Sequence, residues 1–143
     1  MKSEDIKICR EVQRNAQMAM KAIETISDKV YNEELARHIS KQTIKYSELK
    51  NRAMEKLLEA KALPYHTNRM ADLMLVGGIH SKTMLNTSTS HIAQLMIQGS
   101  NRGVTEMCKV LNHNEDAGVS AIELAKELMD FEEKNIEKLK TYL

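Results

Sequence analysis

The stretch EELARHISKQTIKYSELKNRAMEKLLEAKA, residues 33–62, decides the fold class. Leu35, Ile39, Gln42, Tyr46, Leu49, Ala53, Leu57 and Ala60 recur at spacings of three and four, which places them on one side of an α-helix. Asn32 stands before the segment as a capping residue. Glu33 and Glu34 fill the first turn, where the helix dipole favours anions. Glu48 and Arg52 add an i,i+4 pair on a neighbouring face. Pro64 closes the segment, because Leu63 before it is pushed out of the α region. The predicted helix is long and amphipathic, and its buried line carries two polar side chains, Gln42 and Tyr46.

Toward the N-terminus, residues 3–31 repeat the pattern with Ile6, Cys9, Val12, Ala16, Met20, Ile23, Ile26 and Val30. Ser3 is the expected cap, with Glu4 and Asp5 behind it. The link to the next helix is so short that the two must be antiparallel neighbours. Beyond Pro64 the pattern weakens. Residues 69–76 suit a short helix that Gly77 and Gly78 interrupt, and residues 64–86 together suit a crossover along a bundle. Thr87, Ser88, Thr89 and Ser90 offer caps for a third long helix running to about Asn112. Its expected line is Ile92, Leu95, Gly99, Gly103, Met107 and Val110, with Met96 and Leu111 beside it. After a loop at 112–114, a fourth helix is expected to begin near Glu115 and Asp116. Its line is Ile122, Ala125, Leu128, Phe131 or Glu132, Asn135, Leu139 and Tyr142, and Lys134, Lys138 and Lys140 suit its negative end.

Composition agrees with a single all-α domain over residues 1–143: one Pro and five Gly leave little material for the many turns of an all-β fold. Twenty-one Lys and Arg balance twenty Asp and Glu, aromatics make up 3% and Trp is absent, so nucleic acid is not an expected partner. The longest apolar run, residues 73–79, is far too short to span a bilayer, so no membrane partner is expected either. Glu4 and Asp5 argue against a targeting segment, and the expected location is cytoplasmic. Cys9 and Cys108 lie in different helices, on or beside apolar stripes, and are expected to act as small hydrophobes.

Two tightly joined helices, a long crossover and two further helices follow the order of the ferritin-like bundle. Glu34 to Ala53 resembles the second helix of uncharacterised bacterial ferritin-like domains. The run Ser90-His91-Ile92-Ala93-Gln94-Leu95-Met96-Ile97-Gln98-Gly99-Ser100, with Gly103, looks like the third helix of a clostridial-type family of unknown function, and Phe131 to Leu139 looks like its last helix. The likeness leaves residues 64–86 weakly matched. It implies an up-down four-helix bundle with a long crossover between its second and third helices.

Such bundles can hold two metals with carboxylates from two helices and a Glu-x-x-His motif from each of the other two. No Glu-x-x-His occurs in this chain. The first helix offers Gln13 and Ala16, the second Gln42, Thr43 and Tyr46, and the third Gln98 and Gly99. The fourth keeps only Glu132-x-x-Asn135, with Asn where a His ligand would stand. The expectation is therefore a cofactor-free polar layer of Gln13, Gln42, Tyr46, Gln98, Glu132 and Asn135, with no metal. Were a metal held, Glu132, Asn135, Gln98 and Gln42 would be its ligands. Gly99 and Gly103, four residues apart, are expected to admit close helix packing. His38, His66, His80, His91 and His113 are scattered. His91 suits a structural place near a cap, and His66 with His80 makes only a weak metal pair. No nucleophile elbow is present and no catalytic residue is expected.

The functional expectation is a non-enzymatic ferritin-like bundle that acts through self-association, as a homodimer, or through a protein partner. The alternative is a metal- or small-ligand-binding bundle with its site near Glu132 or in the crossover. An exposed apolar strip along residues 69–85 is the feature that would favour the partner reading.

Overall fold

The computed structural model describes all 143 residues and contains α-helices with no strand. Four helices are long: α1 (Ser3–Ile26), α2 (Glu33–Glu59), α4 (Thr89–Asn112) and α5 (Val119–Lys140). A shorter α3 (Arg69–Thr83) lies in the connection between α2 and α4. The α2 sequence folds as its periodicity predicts, with Leu35, Ile39, Gln42, Tyr46, Leu49, Ala53 and Leu57 all buried and the Leu35 N–H donating to the Asn32 cap at 2.9 Å.

Four boundaries differ from expectation. First, α1 stops at Ile26 and ends in a 3₁₀ turn, Ser27–Lys29; the Ser27 hydroxyl bonds the Ile23 carbonyl, a local bond that competes with continued helix. Second, its cap is Lys2, and the Lys2 N–H donates to Asp5 Oδ2 at 3.0 Å. Third, α3 runs through Gly77 and Gly78 without a break. Gly lowers helix propensity by about 1 kcal/mol per residue but does not forbid the helix, and Asn68 secures its start by accepting from the Met70 and Ala71 N–H groups. Fourth, α5 begins at Val119, after Glu115 and Asp116. The Gly118 N–H just before it donates to Asp5 Oδ1 at 2.6 Å, tying the start of α5 to the start of α1.

The long helices pack as two pairs, α1 with α2 and α4 with α5. Helix α1 also touches α4, α5 and α3, so it runs through the middle of the molecule. The core is aliphatic: Ile8, Val12, Leu35, Leu49, Leu57, Leu124, Leu128 and Leu139 are closed to solvent or nearly so, each burial stabilising the fold by about 1.5–3 kcal/mol. Tyr46 and Phe131 meet edge to face at 4.9 Å. On the surface Lys45 and Arg52 both grip Glu127, each at 2.7 Å, and so fix α2 against α5. No helix is long and apolar enough to cross a membrane.

The α3 helix is set apart. Its main packing partner is α1. Gln13 of α1 holds the segment leading into it: the Tyr65 N–H donates to Gln13 Oε1 at 2.8 Å, and Gln13 Nε2 donates to the Tyr65 carbonyl at 3.3 Å. At its other end the His91 ring lies 2.9 Å from the Lys82 carbonyl and ties the last turn of α3 to the start of α4.

Candidate functional site

The standoff of α3 leaves a cleft of about 490 Å³ walled by α1, α3 and α4, a volume in the range of small-molecule sites. Half of its 24 lining residues are hydrophobic. From α1 come Met18, Ala22 and Ile23, from α3 Leu75 and Ile79, and from α4 Leu95 and Met96. Gln42 and Tyr46 of α2 and Glu132 of α5 close the floor.

The opening depends on glycines. A Cβ built on Gly78 or Gly99 would meet nothing within 4 Å, while one on Gly103 would come to 3.2 Å from Asn15 Oδ1 and 3.7 Å from Glu132 Cδ. Of the two glycines expected to admit close helix packing, only Gly103 does so. Gly99 is exposed and faces the cleft. Glycine carries no side chain to mark its face, so the line Leu95–Gly99–Gly103 reads equally well as facing core or cleft. The core-facing line of α4 runs through Ile92, Ala93, Ser100 and Met107.

Glu132 dominates the floor. It is 4% exposed and takes part in none of the chain's ion pairs. Its Oε2 has no hydrogen-bond partner. Burial raises its pKa, and the Ser100 and Tyr46 hydroxyls beside it pull in the opposite direction without cancelling the rise. Burial, followed by the adjacent Glu132 charge, holds the Tyr46 phenol well above its ordinary value. Asn135, one turn along α5 and equally buried, has an Nδ2 without a partner. A buried acceptor and a buried donor, on residues one helical turn apart, thus both stand unsatisfied, an arrangement native interiors rarely tolerate without a use.

The expected six-membered polar layer divides. Tyr46, Glu132 and Asn135 converge, joined by Ser100, which periodicity alone leaves unmarked; its spacing of seven from both Ala93 and Met107 was the available signal. Gln13 is buried but belongs to the Tyr65 clamp. Gln42 reaches the cleft, yet its Nε2 is 2.9 Å from His38 Nε2, and burial lowers the His38 pKa so that the neutral ring can accept. Gln98 is exposed. At about 100° per residue, a core-facing Ser100 turns Gln98 roughly 160° away, so it cannot share the layer.

Nor does the floor suit the di-metal centre of ferritin-like bundles. Its donors are one carboxylate, two hydroxyls and amides, and no group of three or more His, Cys, Asp or Glu side chains is placed to hold an ion. Two divalent metals need more anionic oxygen than Glu132 alone supplies. His66 precedes α3 and His80 lies near its far end, on the order of 16 Å along the axis from the first residue, Arg69. Cys9 and Cys108 are free thiols.

A second feature is the outer face of α3. Met70, Leu73, Met74 and Met84 are 66%, 69%, 72% and 76% exposed. With Gly77, His80 and Ser81 they form one helical stripe that carries no Lys, Arg, Asp or Glu, in a chain of which 29% is charged. Leu63 and Leu85 extend the apolar surface at either end. No family model, curated protein or solved structure matches the chain.

Proposed function

We propose that the chain is a ferritin-like bundle that works by association, without turnover, and that its partner is a second copy of itself seated on α3. The observation carrying this reading is the uncharged apolar stripe Met70–Leu73–Met74–Gly77–Met84. Soluble monomers rarely expose such contiguous patches, and exposed apolar residues such as Ile44 and Val119 stand apart on other helices.

Self-pairing follows from the symmetry of the stripe. Met70 and Met84 each lie seven residues from Gly77. An antiparallel crossing centred on Gly77 sets Met70 of each copy against Met84 of the other, and the missing side chain at the crossing lets the backbones approach. This is the self-complementary patch that a twofold dimer requires. A charge-free face also gives a partner of opposite charge nothing to recognise. The ferritin-like part of the reading is supported by helix order, the tight α1–α2 link and the long helix-bearing crossover. The expected cytoplasmic setting belongs to the same reading and rests on the sequence.

Leu73→Glu combined with Met74→Glu places four carboxylates across the twofold axis. Light scattering should find a dimer for the parent and a monomer of unchanged helicity for the variant. A variant that stays dimeric places the interface elsewhere.

A further inference from the structure

The cleft over Glu132 opens on the inner side of α3, meets the outer stripe only at Met74, and has no part in the association reading. It combines three features that seldom occur together without an occupant. The space is large enough for a small organic molecule, at about 490 Å³. Its walls are apolar and adaptable, with Met18, Met96, Leu75 and Ile79 among them. Among its lining residues is the Glu132 carboxyl, 4% exposed, with one buried oxygen unpartnered and no Lys, Arg or His bonded to it. Gly103 stands directly above that carboxyl, where a larger residue would cover it.

We propose that this cleft is a binding site for a small amphipathic organic amine, its ammonium group on Glu132 and its hydrocarbon body along α1, α3 and α4. Each part of the ligand answers a part of the site. An ammonium supplies the positive charge that the protein does not place beside Glu132 and, once the side chains around Oε2 shift to admit it, the N–H donor that this closed-off oxygen lacks. Removing a charged acceptor from water with nothing to pair it is costly, and a bound cation relieves that cost. A metal ion would ask for several anionic donors and would leave the apolar walls unused, whereas an alkyl or aryl amine uses both. A carboxylate ligand would face Glu132 with like charge. Arg14, Lys82 and Arg102 line the cleft as well, but Arg14 is paired with Glu11 at 2.9 Å, and Lys82 and Arg102 are exposed, where solvent and salt screen them, while Glu132 is neither paired nor exposed.

The test needs no knowledge of the natural ligand. Hexylamine, hexanol and hexanoate have one body and three heads. Titration calorimetry on the intact chain should show hexylamine binding at least about tenfold more tightly than hexanol, the margin expected of a charge-assisted hydrogen bond, and hexanoate most weakly. Glu132→Gln should bring hexylamine down to the level of hexanol. Gly99→Leu, which extends a side chain into open cleft space, should weaken amine and alcohol together. The comparison of heads on the parent stands even where a variant fails to fold. Equal affinity of the parent for amine and alcohol, or no binding of either, would overturn the proposal, as would a Glu132→Gln protein that keeps the amine preference. A monomeric parent that still prefers hexylamine would refute only the association reading.

Discussion

At the scale of single residues Glu132 is a buried carboxyl with an unpartnered oxygen, and its cost has a definite pH signature. Glu132 is protonated in both the folded and unfolded chain at low pH. Between the ordinary Glu value of 4.5 and its raised folded value, the folded chain keeps a proton that the unfolded chain has lost. Folding then binds a proton, so this group's contribution to stability declines as pH rises through that window and is fully lost above it. Glu132→Gln removes the titration while keeping size and polarity. Chemical denaturation at a series of pH values should show the variant gaining on the parent from about pH 4.5 upward and levelling once pH has passed the raised folded value. An advantage that is constant with pH would assign the effect to packing. Gly99 makes a second residue-scale case. Its place in a helix with open space beside it means that Gly99→Ala should stabilise the protein by about 1 kcal/mol through helix propensity alone, a rise in melting temperature of a few degrees. A lower melting temperature would show a close neighbour at Gly99.

Among elements, legibility tracked how strongly each side chain declares its face. Helix α2 is readable to the residue because large aliphatic groups repeat without a break from Leu35 to Leu57, and α5 is readable enough that Glu132 and Asn135 fall inward as its period requires. The α4 helix is only half legible. Its glycines and its Ser100 have weak hydropathy, so spacing does not separate the line facing the cleft from the line facing the core, and Gln98, expected in the polar layer, lies exposed on the cleft side. In α3 apolar residues occur on nearly every side, which blurs its period, and two glycines look like a stop. What fixes α3 is tertiary: Gln13 at one end and His91 at the other. Gln13→Ala removes both bonds to the Tyr65 backbone and should destabilise the chain by about 1–3 kcal/mol. Hydrogen exchange should then quicken at Tyr65 and along α3 while the α1–α2 pair stays protected. Uniform quickening across all helices would mean that α3 unfolds only with the whole domain.

For the whole molecule, the all-α architecture and the long connection between the second and third of the long helices could be read from sequence, because four amphipathic periods and one proline demand them. The cleft could not be. It arises from the distance α3 keeps from α4, which no local period encodes. The placement of α3 also accounts for both functional readings, since its inner side walls the cleft over Glu132 while its outer side presents the uncharged stripe around Gly77. The central claim is that this outer stripe is an interface between two copies. Sedimentation equilibrium of the unmodified chain over a range of micromolar concentrations tests it most directly. The account predicts a limiting mass of twice the 16.3 kDa chain, and a mass that stays at 16.3 kDa up to high micromolar concentration would contradict it.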